Sequence, residues 1–123
     1  MLSLPPAVQL FACTTPVDMR KSFDGLAAAV ESALDRQPLD GHVYCFFSRN
    51  RRHLRLLWWD RDGFLMVCKR LERGAFQVPW RLDGAAGKDP PAGWALGADD
   101  LSAILQGVDL RSVRKLPRWR PPA

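Results

Sequence analysis

The chain has 123 residues, 47% of them hydrophobic and 25% charged, with a formal net charge of +5. That is one domain's worth of chain, enough for a core, short for a large enzyme, and without an apolar run near the ~20 residues of a membrane span. The opening MLSLPPAVQLF has no basic leader region, and three cysteines without CxxC spacing argue against a disulfide framework or zinc knuckle, so a cytoplasmic setting is expected.

Val8 to Cys13 reads as a first strand, ended by Thr14, Thr15 and Pro16. Asp18 is the expected N-cap of a helix from Met19 to about residue 35, because Met19, Phe23, Leu26, Ala27, Val30 and Leu34 recur at helical spacing. Gly25 within it costs about 1 kcal/mol against Ala, which points to a close approach to a sheet. Arg20 and Lys21 fall in the first helical turn, where the helix dipole disfavours positive charge. That conflict marks the pair as a candidate site, the alternative being two solvated side chains at a frayed end.

Val43 to Arg73 is the organising stretch: VYCFFS, RNRR, HLRLLWW, DRDG, FLMVCKR and LER. Three apolar runs separated by two polar turns form the pattern of a β-meander. Asp62-Gly63 is expected to supply the positive φ of the second turn. The first turn carries Arg49, Arg51 and Arg52, a basic tip expected to project from the sheet. Alternation sets Leu54, Leu56 and Trp58 on one face and His53, Arg55, Leu57 and Trp59 on the other. Arg beside Trp on one face could follow an anionic backbone and stack on bases. For each residue alone the alternative is a core tryptophan or a solvated arginine. Cys45 and Cys68, inside apolar runs, read as small buried hydrophobes.

A fourth strand is expected from Ala75 to Val78, closed by Pro79. Residues 81–98, rich in Gly, Ala, Pro and Asp, read as a loop or linker. Asp99 or Asp100 caps a short helix over 99–110 with a stripe of Leu101, Ile104, Leu105 and Val108, and 111–123 is a basic, flexible tail. The expected fold is α+β. Residues 1–80 form a core of a mostly antiparallel four- to five-stranded sheet carrying one amphipathic helix, followed by the short C-terminal helix.

Charge is unevenly spread. Residues 43–73 hold eight basic side chains against Asp60, Asp62 and Glu72, and 111–123 hold five against none, whereas the other two stretches are net acidic. Such segregation suits a polyanionic partner. Chemistry is poorly represented. Asp60, Asp62 and Glu72 form the tempting carboxylate set for two-metal chemistry, but turn formation explains the first two and ion pairing the third. His42 and His53 stand alone, and there is no phosphate loop or nucleophile elbow.

Three stretches, PVDMRKSFDGLAA (16–28), LLWWDRDGF (56–64) and KRLERGAFQVPW (69–80), together with the N-terminal LPPAVQLF, resemble one family. It is the TnpB-type, Orf2-like small accessory protein of the insertion-sequence-66 family of transposable elements, and the resemblance runs over roughly residues 3–110. The matching positions are Asp18, Met19, Arg20, Lys21, Phe23, Asp24, Gly25 and Leu26, then Trp58, Trp59, Asp60, Asp62 and Gly63, and finally Lys69, Arg70, Leu71, Glu72 and Gly74. The resemblance implies a bacterial mobile element, a larger transposase encoded alongside, and a need for this protein in transposition. It implies no catalytic residue.

The expected function is therefore a non-catalytic accessory of DNA transposition without metal or cofactor. Arg20, Lys21, Arg49, Arg51, Arg52, Arg55, Lys69, Arg70 and Arg73 are the candidate contacts to DNA, with the element ends as the expected target. Trp58 and Trp59 are the candidate anchors for the transposase. The alternatives are a transposase subunit without direct DNA contact, or a metal-dependent nuclease. No helix-turn-helix or zinc-finger signature supports sequence-specific base reading.

Overall fold

A computed structural model describes residues 7–80 and 90–106. The basic tail, Val108 and the first part of the expected linker lie outside the described residues. Five strands form one mixed sheet: β1 (Leu10–Cys13), β2 (Val43–Phe47), β3 (His53–Asp60), β4 (Gly63–Arg70) and β5 (Gly93–Leu96). Two helices accompany it, α1 (Phe23–Leu34) and α2 (Ala98–Gln106). The order is β4-β3-β2-β1-β5, antiparallel throughout except for β1 beside β2, which α1 joins. The expected α+β class and meander are present.

β2 is buried at every position because both sheet faces are covered there. On one face Tyr44, Phe46 and Leu57 meet Leu26 and Val30 of α1. On the other, Val43, Cys45, Phe47, Leu54 and Leu56 meet Leu101 and Ile104 of α2 together with Phe76, Val78 and Trp80. The last three side chains alternate inward as a strand's would, yet residues 75–78 form no strand. The fifth strand comes instead from Gly93–Leu96, inside the stretch expected to be a loop, by antiparallel pairing with β1. Pairing with a distant strand leaves little local signal.

α1 starts later than its periodicity suggests. The Asp18 carboxylate accepts the Arg20 N–H at 2.8 Å, and the Asp18 carbonyl accepts that of Lys21 at 3.0 Å, so Asp18 caps a separate turn. Ser22, in extended conformation, is the N-cap. Arg20 and Lys21 thus precede the helix and do not occupy its first turn, which lessens the conflict with its dipole. Phe23 is 39% exposed rather than part of the buried stripe, which Leu26 and Val30 carry. A Cβ on Gly25 would lie 3.0 Å from that of Lys21, so this glycine admits the incoming turn and not the sheet.

The β3–β4 turn also differs. Asp60 pairs with Gly63, and it is Arg61, at φ 59°, that takes the left-handed conformation while Gly63 opens the strand. Cys13 and Cys45 are buried, and burial pushes both thiols up and out of reactivity. Cys68 is exposed, because α1 does not reach the end of β4.

Candidate nucleic-acid interface

The topology brings the candidate basic residues to one end of the sheet. β1 and β2 run toward it, β3 starts from it, and β4 ends in it with Lys69 and Arg70. Arg49, Arg51 and Arg52 occupy the β2–β3 turn there. Val17 N–H donates to the Phe47 carbonyl at 3.0 Å, which holds the Asp18–Lys21 turn beside that tip. Arg55 reinforces the join by donating from Nη1 to the Lys21 carbonyl. Arg73 follows the end of β4. The opposite end carries Asp35, Asp40, Asp60, Asp62, Asp99 and Asp100 against Arg36 and Arg61, set after α1, around the β3–β4 turn and at the start of α2. The described part of the molecule is therefore electrically polar along its strands.

Within the basic end the side chains are not equivalent. Arg51, half-buried and at φ 56°, donates from Nε to the Phe76 carbonyl at 3.2 Å. Arg52 donates from Nη2 to the carbonyls of Leu71 and Glu72 at 3.3 and 2.8 Å. Its own carbonyl accepts the Leu71 N–H at 2.8 Å. Two of the three tip arginines therefore staple residues 71–76 to the hairpin. Arg49 is exposed with no such bond. Gly74, at φ 72°, allows the stapled segment to turn back over the sheet.

Two exposed ion pairs lie on the rim. Arg20 grips Asp18 through Nε and Nη2, the latter at 2.6 Å, and with the Arg20 N–H these bonds hold the Asp18 carboxyl down to about 2. Arg70 pairs with Glu72 at 2.9 Å. Exposed pairs of this kind contribute little and exchange partners readily. Lys69 donates from Nζ to the Leu105 carbonyl at 2.9 Å, close to the C-terminus of α2.

The tryptophans stand apart from this cluster. Trp58 donates its indole N–H to the Gly41 carbonyl at 2.9 Å and packs on the α2 face. Trp59 is half-buried edge-on to Phe64, ring centroids 5.0 Å apart. Fully buried Leu57 separates Trp59 from Arg55, roughly 13 Å away along the strand. Arginine and indole do not make one continuous stacking face. The carboxylates separate too: Asp60 and Asp62 flank one end of β4 and Glu72 the other, roughly 27 Å apart. They do not converge on a common metal position.

Residues passed over in the sequence organise the tip. Asn50 Oδ1 accepts from the Ser48 hydroxyl at 2.8 Å and from the Arg52 N–H at 3.1 Å, while Ser48 Oγ accepts the His53 N–H. The available signal was the Ser-x-Asn pattern of a side-chain-braced turn.

A family model described as IS66 Orf2 like protein matches residues 8–115. The chain belongs to this IS66 Orf2-like family. Two proteins of Sinorhizobium fredii are similar to it along nearly their whole length. Uncharacterized protein y4jC is 31% identical over 121 residues, covering 98% of this chain and 97% of its own. Uncharacterized protein y4hO is 34% identical over 121 residues, covering 98% and 96%. No solved structure matches. Membership connects this IS66 Orf2-like chain with transposition, in an accessory role. Among the described residues no helix is long and apolar enough to cross a membrane.

Proposed function

We propose that this IS66 Orf2-like protein is a non-catalytic accessory that contacts DNA during transposition through the basic end of its sheet. The observation carrying the reading is the convergence there of basic side chains from the pre-helix turn, the β2–β3 tip, the end of β4 and Arg73, with the carboxylates Asp18 and Glu72 each held in an exposed ion pair. Phosphates can displace such pairs, and an end with a net excess of positive charge steers a polyanion toward it. Arg49, Arg73, Arg20 and Lys69 are the phosphate contacts. Arg51, Arg52 and Arg55 act chiefly by shaping the surface. With no helix-turn-helix or zinc-finger signature in the sequence, binding is to the backbone and largely indifferent to sequence.

The test is a titration of the full-length protein into element-end and unrelated duplexes over a salt series. Arg49→Ala and Arg73→Ala should each weaken binding to both duplexes by similar factors and lower the salt slope by about one. A folded Arg49→Ala/Arg73→Ala protein with unchanged affinity and slope would remove the basic end from the reading. Magnesium-dependent nicking abolished by Asp62→Asn would instead restore the nuclease. The reading of Trp58 and Trp59 as transposase anchors is weaker, since Trp58 is committed to Gly41 and Trp59 to Phe64.

A further inference from the structure

β4 is the last strand of the sheet, and among the described residues no backbone pairs with its outer edge. A proline-free strand of eight residues with open N–H and C=O groups is a template for another strand. Leu65 and Val67, 44% and 38% exposed, lie on its α2 side. With Leu56 and Trp58 they line an open cleft of about 1000 Å³ against Leu101 and Leu105. Charge sits at the two ends of the edge: Lys69 and Arg70 at one, Arg61 and Asp62 beside the other.

We propose that β4 pairs antiparallel with β4 of a second copy of this chain, with Met66 on the two-fold axis. A two-fold axis perpendicular to the sheet keeps each face continuous, so opposed residues share a face and the axis passes between one residue and its own copy. With Met66 on the axis, Leu65 lies opposite Val67 of the second copy, and each exposed apolar side chain meets the other. Arg70 lies opposite Asp62. Moving the axis to Val67 sets Asp62 against Glu72, and moving it to Leu65 sets Arg61 against Lys69. Of these three registers, only the one on Met66 sets opposite charges together and joins the apolar pair. Arg70 leaves its exposed bond to Glu72 for the new carboxylate, an exchange between similar pairs. The occupant is a second copy because the edge is complementary to itself in both charge and apolar position.

Sedimentation of the full-length protein over a concentration series tests this. Wild type should be a reversible dimer. Val67→Lys, Asp62→Arg and Arg70→Asp should each raise the dimer dissociation constant by about tenfold or more. The charge-swapped Asp62→Arg/Arg70→Asp protein should return to within about threefold of wild type, because opposite charges again face each other. All three positions are exposed, so unchanged circular dichroism verifies the fold. A monomer at every concentration would overturn the proposal. So would a dimer indifferent to Val67→Lys, or a double swap no better than either single change.

Discussion

Arg51 and Phe76 are joined by two hydrogen bonds across the base of the β2–β3 tip. The Phe76 N–H donates to the Arg51 carbonyl at 2.7 Å, and Arg51 Nε returns a bond to the Phe76 carbonyl at 3.2 Å. Phe76 is fully buried, with its ring edge-on to Phe47. A side chain whose residue type belongs to solvent thus secures one wall of the core.

Arg51→Ala should therefore cost about 1–3 kcal/mol, since it leaves a partly buried carbonyl without its charged donor. Arg49→Ala, two residues away, should stay within about 0.5 kcal/mol. Urea unfolding followed by tryptophan fluorescence measures both. Equal, small costs would show that the staple does not hold the 71–76 segment.

The helix offers a second contrast. Leu26 is fully buried against Tyr44, Phe46 and Leu57, and truncation to Ala should cost about 2–5 kcal/mol. Phe23 sits one turn earlier but is 39% exposed, and Phe23→Ala should cost less than about 1.5 kcal/mol. Denaturation midpoints for the two variants decide the matter.

The third prediction concerns pH. Tyr44 donates its hydroxyl to Asp40 and accepts from Arg36 Nε at 3.0 Å. Burial first, and then the Asp40 bond, push its phenol up to about 12. The folded protein thus keeps a proton that the unfolded chain releases near pH 10. Stability contributed by this group is full below that pH and declines as pH rises toward about 12. Tyr44 is the chain's single tyrosine. Phenolate absorbance therefore reports it alone, and should appear at higher pH in the native protein than in urea. Tyr44→Phe should cost about 1–3 kcal/mol through the polar partners left behind.

What the sequence made legible was the part with local physics. The alternating runs of β2, β3 and β4, the apolar stripe of Leu26 and Val30, and the α2 stripe of Leu101 and Ile104 each announce a period within a short window. β5 was not legible, because Gly93–Leu96 becomes a strand only by finding β1 some eighty residues earlier. The start of α1 was misread because one Asp can cap a turn as readily as a helix. At the candidate site, the concentration of arginine was plain from composition, whereas its division into stapling and free side chains depended on where residues 71–76 fold back. Nothing in a linear pattern of Arg, Asn and Arg tells which guanidinium turns inward.

The placement of β1 carries a consequence for the order in which the molecule is made. β2, β3 and β4 are neighbours in the chain as well as in the sheet, so they can assemble by short loop closures as soon as residue 70 has left the ribosome. β1, synthesised first, pairs on one side with β2 but waits on its other side for the arrival of Gly93–Leu96. During that interval its outer edge stands open on the nascent chain, and the face awaiting Leu101 and Ile104 is uncovered. Among the described strands, the last to be translated is the one that closes the first, and until that closure the edge of β1 stays open to mispairing.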